Sequence, residues 1–162
     1  MSPLASDAAF PPPAFEAVRR TVPFHDHAQI EIVEADMGQG RAGIPDAPFL
    51  KNHFGTVHGG VLFAVGEVAA GSAMMRVLNS GDLGPDALRL RAITRRGAID
   101  YLKPARGAVS GAASVGMSAA DIAASLTRSR SIDVPISVDL KDAAGAVVAH
   151  CDITWFVGRP KE

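Results

Sequence analysis

The segment Val61 to Leu78, VLFAVGEVAAGSAMMRVL, constrains this chain more than any other. It is apolar on nearly every face and rich in Ala, Leu and Met, so it predicts a buried helix rather than one lying on a surface. Gly59 and Gly60 precede it, allowing close backbone approach where the first helical N–H groups have no intrahelical partner. Within this segment sits a carboxylate, Glu67, beside Val65, Val68 and Ala69. Burying it ionised is costly unless partners compensate. Two explanations answer it. An arginine, Arg76 or one on a strand, closes a buried ion pair, or the helix presents Glu67 to a cleft as a base or nucleophile. The glycine pair supports the second, because a helix N-terminus offers N–H donors and a positive dipole end to an oxyanion.

The rest of the chain reads mainly as strands. Ala14 to Val22, after Pro11, Pro12 and Pro13, reads as a short helix with Phe15, Val18 and Val22 on one face. Residues 28 to 36 alternate through Ile30, Ile32 and Val33 as a strand, and Gly38 and Gly40 turn the chain into a second near Arg41 to Ile44. Segments 91 to 102, 107 to 117, 131 to 142 and 146 to 158 read as successive strands. Asp142-Ala-Ala-Gly145 is a hairpin turn, and Ser118 with Asp121 forms a capping box opening a helix to about Arg128. Strands on both sides of one buried helix predict an α+β domain. Residues 1 to 25 are expected to be a leader carrying the short helix, and residues 26 to 160 one domain.

Composition narrows the partners. A formal net charge of -1 and a pI near 6.5 give no bulk field for nucleic acid or an anionic membrane, so an anionic ligand must be met locally. The single cysteine, Cys151, excludes an intramolecular disulfide and leaves no structural zinc site; a reducing cytoplasm is the expected compartment. The N-terminus lacks a basic region followed by an apolar run, and Val61 to Met75, which includes Glu67, is shorter than the roughly 20 residues that cross a bilayer. No membrane span is expected.

Asn52-His-Phe-Gly-Thr-Val-His58-Gly59-Gly60 and the helix with Glu67 form an N-x5-HGG-x6-E pattern that resembles the PaaI-type and related acyl-CoA thioesterases of the hot-dog superfamily. Tyr101-Leu-Lys103-Pro104-Ala105 resembles the strand and turn after the helix in those enzymes, and Val138 to Gly145 with Ala146 to Val157 resembles their last hairpin. The resemblance implies a hot-dog fold, a curled antiparallel sheet wrapped around a long central helix, in dimers or dimers of dimers with active sites at the subunit interface. It implies Glu67 as base or nucleophile, the Gly59 N–H as polariser of the thioester carbonyl, and Asn52 as the amide that orients substrate or water. His58 belongs to the signature, either shaping the loop and touching the thioester or serving as a satisfied structural histidine. One position departs from the pattern: many relatives carry Ser or Thr one turn after the acid, where this chain has Gly71, with Ser72 pointing elsewhere.

The expected ligand is an acyl-CoA or another acyl thioester, with coenzyme A part of the substrate and no other cofactor or metal. Medium-chain and aromatic acyl groups both fit the small residues beside the helix, Ala64, Ala69, Ala70 and Gly71. Gly60, His53 and Gly71 are further substrate-binding candidates. The phosphates need cations, drawn from Arg91, Arg95, Arg96, Lys103, Arg106, Arg128 and Arg130, with Lys103 and Arg106 favoured because they flank the turn leaving a strand. Trp155, Phe156 and Cys151 read as packing residues of the last strand. Two alternatives compete with hydrolysis. A non-catalytic acyl-CoA-binding module would keep the cleft. A hydroxyacyl-thioester dehydratase would pair His53 with Glu67, but those enzymes resemble HFP-x2-P followed by PG, and HFGTVHGG has neither proline.

Overall fold

A computed structural model describes residues 22–34, 39–84 and 87–159. A short helix, α1 (Pro23–His27), leads into β1 (Glu31–Glu34) and β2 (Gln39–Ile44). The long helix α2 (Gly59–Asn79) follows, then β3 (Arg91–Tyr101), β4 (Val109–Val115), α3 (Ala119–Arg128), β5 (Ser131–Asp142) and β6 (Val147–Gly158). The predicted helix at 14–22 lies outside the described residues except for Val22, which precedes α1 with extended backbone.

The six strands form one antiparallel sheet in the order β1-β2-β4-β5-β6-β3. Its inner face is written in the alternation of the strands: Val134, Ile136, Val138 and Leu140 on β5 are buried, and so are Cys151, Ile153, Trp155 and Val157 on β6. That face wraps α2, whose Leu62, Val65, Ala69, Met74 and Val77 complete the core. The small residues set the helix close to the sheet. A Cβ at Gly40 of β2 would collide with the Ala69 carbonyl and the Ala73 nitrogen, so β2 touches helix backbone only because residue 40 is glycine.

The predicted elements form with ends moved by a few residues. Ser118 caps α3 as expected, accepting from the Asp121 N–H and donating to its carboxylate. The β5–β6 turn closes on Gly145, at φ 78°, with Asp142 Oδ1 accepting from the Ala144 and Ala146 N–H groups. The apolar helix is longer than its central stretch suggested. At 21 residues α2 has the length and apolarity to cross a membrane, but 67% of its most apolar 18 residues is buried in this fold, as a core helix requires.

The sheet's two edges differ. β1 is only four residues long, whereas β3 spans eleven and is exposed or half-exposed along its length, with Ile93 51% exposed. A long edge strand of this kind presents unpaired N–H and C=O groups, a ready template for a further strand.

Candidate active site

The loop before α2 is held by its own polar groups. Asn52 Oδ1 accepts from the Phe54 N–H at 2.9 Å and the Thr56 N–H at 3.3 Å, and its Nδ2 donates to Thr56 Oγ1 at 2.9 Å. Asn52 therefore organises the loop. The His58 N–H donates to the Leu50 carbonyl and closes the loop on itself, and the Val57 N–H donates to the Ala105 carbonyl and ties the loop to the chain leaving β3. His58 is the N-cap of α2: its Nδ1 accepts from the Gly60 N–H at 3.0 Å. The cap gives His58 a part in shaping the loop and the helix start. The same bond occupies the Gly60 donor, so Gly60 can offer a ligand only its bare backbone.

Gly59 is different. Its carbonyl accepts from the Tyr101 hydroxyl at 3.1 Å, while its N–H meets no acceptor among the described residues. A Cβ at Gly59 would stand 3.0 Å from the Tyr101 oxygen and 3.1–3.2 Å from its ring, so glycine lets that ring close over the helix start. Around this point opens a cavity of about 610 Å³, lined by Asn52, Thr56, His58, Gly59, Gly60 and Lys103, with Tyr101 and Leu102 along one wall. A free helix-N-terminal N–H facing a cavity is suited to an anion or a polarised carbonyl.

Glu67 lies outside that cavity. From 59 to 67 the helix axis advances about 12 Å at 1.5 Å per residue, too far for one small group to touch both positions. The carboxylate is half-buried and accepts from Thr94 Oγ1 of β3 at 2.7 Å. Among the described residues no cation pairs with it, so the buried ion pair is not formed. Arg76 lies about 180° around the helix from Glu67, and Arg95 of β3 pairs instead with Asp133. His25 of α1 lies within the electrostatic reach of Glu67. Burial pushes the His25 imidazole below its ordinary pKa, against the opposing pull of Glu67 and Asp26.

The remaining candidates divide. Lys103 lines the cavity from an exposed position, whereas Arg106 is exposed and does not line it. His53, expected to bind substrate, is exposed on the loop outside the cavity, its ring 3.9 Å from that of Phe54. Gly71, one turn beyond Glu67, faces the indole of Trp155: a Cβ there would stand 3.2 Å from Cζ2, leaving scant room for the Ser or Thr of the resembled pattern. Cys151 is fully buried against Gly66, and burial, with Asp152 and Asp100 nearby, raises its thiol to about 11. Sequence reasoning missed Tyr101 as a wall of the site and Thr94 and His25 as neighbours of Glu67. Alternation along β3 could have put Thr94 on the inner face; nothing local marks His25.

Comparison with solved structures supplies the fold. The chain is similar to a Pseudomonas aeruginosa protein described as of unknown function and "Probable Thioesterase", with TM-score 0.76, 19% identity and 93% and 99% of the two chains covered. A thioesterase family protein from Silicibacter pomeroyi superposes with TM-score 0.70 at 15% identity, over 90% and 96% of the chains. The E. coli PaaI protein from the phenylacetic acid degradation operon does so with TM-score 0.67 at 16% identity, over 91% of each. These likenesses and the sheet curled on α2 define a hot-dog fold. No curated protein matches the chain. The family described as "Domain of unknown function (DUF4442)" matches residues 14–157, and the chain belongs to it.

Proposed function

We propose that this protein is an acyl thioester hydrolase acting on acyl-CoA, with the Gly59 N–H polarising the thioester carbonyl and Glu67 serving as general base or nucleophile. The observation that carries this reading is the free Gly59 N–H at the mouth of a 610 Å³ cavity, on the same helix as a half-buried carboxylate held by a neutral hydroxyl rather than a cation. Such a carboxylate remains available for proton transfer or attack. Lys103 at the cavity supplies a cation for the coenzyme A phosphates, with Arg106 on the same exposed turn. The names of the structural neighbours point to the same chemistry. A reducing cytoplasm suits the free, buried Cys151.

The 12 Å between the two functional positions is bridged in this proposal by a second copy. With the bulge at Arg95 counted, an antiparallel pairing of the β3 edges centred on Ala98 sets Gly97 opposite Ile99 and Thr94 opposite Tyr101 of the other chain, all four on the inner face. Thr94 bonds Glu67 and Tyr101 bonds Gly59, so this pairing carries each carboxylate toward the other chain's donor. The exposed length of β3 and its Ile93 support such a homodimer. The test is release of free thiol from a panel of acyl-CoA esters differing in chain length and aromaticity. Turnover on at least one member is expected. Binding of coenzyme A esters without thiol release would replace the hydrolase with a non-catalytic binding module.

A further inference from the structure

Among the described residues, three buried side-chain polar atoms have no hydrogen-bond partner: Ser72 Oγ, Arg76 Nε and Trp155 Nε1. Ser72 and Arg76 lie about 140° and 180° around α2 from Glu67. Trp155 lies on the carboxylate's side. It is the register partner of Thr94, so the two side chains are neighbours on the inner face of the sheet, and Thr94 holds Glu67 at 2.7 Å. The indole packs on Gly71, one turn past Glu67 and about 40° around the helix, through Cζ2. Cη2 is the next nearest atom at 3.6 Å, so the benzenoid edge faces Gly71, and Nε1, bonded to the same ring carbon as Cζ2, lies beside that edge more than 4 Å from the Gly71 position. Trp155 is only 8% exposed, and a buried indole N–H ordinarily finds an acceptor.

We propose that the Trp155 N–H holds the water that attacks beside Glu67, an inference that rests on the hydrolase reading and assigns one further group to it. An indole is a donor and never an acceptor. A water that receives its hydrogen bond keeps one lone pair for attack and one O–H to give to the Glu67 carboxylate. The balance is simple. With Glu67 as base, the water oxygen bonds to the thioester carbon, its proton passes to Glu67, and the carbon–sulfur bond breaks to release the thiol after proton return. With Glu67 as nucleophile, the same water is needed to hydrolyse the acyl-carboxylate anhydride.

Trp155 is the chain's single tryptophan, so global replacement of tryptophan by 3-benzothienylalanine changes this site alone, exchanging N–H for sulfur in a ring of the same shape. The expected result is kcat lowered about tenfold, the rate equivalent of one hydrogen bond, with KM and the melting temperature unchanged. Unaltered kcat would overturn the proposal. The single indole N–H resonance of the unmodified protein gives an independent readout. Exchange with a bound water and a shift in Glu67→Gln are expected even should no acyl-CoA be hydrolysed, which would remove the hydrolase reading but not the held water. An indole signal with no water contact and no response to Glu67→Gln would reject the held water itself.

Discussion

At the N-terminus of α2 the loop that carries the donor is shaped mainly by its own residues: Asn52 ties Thr56 and His58 caps Gly60, while Tyr101 of β3 closes over Gly59 from outside the loop. Glu67, two turns along the same helix, has no such local partner: Thr94 on β3 holds it, and the indole of Trp155 on β6 packs on Gly71 one turn further along. The first region is complete within one chain, with its donor free and its cavity formed. The second lies along the exposed β3 edge. The contrast teaches that a motif can preorganise a donor and its cavity largely within one loop, while the carboxylate that would serve it in the proposed function is held by a tertiary contact and, in the proposed dimer, serves the other chain.

The largest effect is expected at Glu67. Glu67→Gln keeps an oxygen to accept from Thr94, so the melting temperature should stay near wild type, while thioester hydrolysis falls about 100- to 10,000-fold with loss of the base or nucleophile. Near-normal turnover by this variant would detach the carboxylate from the chemistry and dissolve the comparison.

Gly59→Val should follow, with turnover reduced about 100- to 1000-fold, the usual loss for one oxyanion donor. The new side chain meets the Tyr101 ring, which is 57% exposed and can swing aside. The fold then loses chiefly the hydroxyl bond to the Gly59 carbonyl, about 1 kcal/mol in a urea titration. A large stability loss with activity per folded molecule intact would make residue 59 a packing glycine only.

Mixing the two inactive variants sharpens the comparison further. If each site joins one chain's Gly59 to the other's Glu67, a heterodimer of Glu67→Gln and Gly59→Val contains one intact and one doubly damaged site. Random re-association should restore about a quarter of wild-type activity, since roughly half the dimers are mixed and each carries one good site. Sites contained within a chain would give no recovery.

The same contrast explains what was legible in the sequence. Binary pattern and turn chemistry are local, so α2, the strands, the Ser118 cap and the Gly145 turn could be read directly, with only their ends displaced. Gly59 and His58 were marked by adjacency to the helix start. The neighbours of Glu67 were not. Thr94 reaches it from β3, where pairing with Trp155 of β6 fixes its place on the inner face, and His25 through a short helix with no buried residue of its own. His53, a substrate-binding candidate, lies exposed beside Phe54 on the Asn52 loop, outside the cavity, a placement set by loop bonding that the motif does not display.

The smallest expected effect lies away from both regions, on the outer face of the sheet. His150 Nδ1 is 2.8 Å from Asp139 Oδ1, its cross-strand partner, and Nε2 is 3.5 Å from Asp152 Oδ1. The Asp139 hydrogen bond is the main cause that raises the His150 pKa above 6.5; slight burial opposes it, and the charges of Asp152 and Asp139 add to the rise. A raised folded pKa means the native state binds the proton more tightly than the unfolded chain. The stabilisation is therefore fully present below about pH 6.5 and is lost as pH rises through the higher folded pKa. The pair is largely solvated, so it contributes about 0.5 kcal/mol or less. In urea titrations, wild type should exceed His150→Asn by a small margin at pH 5.5, and that margin should vanish by pH 9. The variant's turnover at each pH should match wild type, because this cluster faces neither Gly59 nor Glu67. A shifted catalytic pH profile would instead couple the outer sheet face to the site and break the separation of the two regions from the rest of the fold.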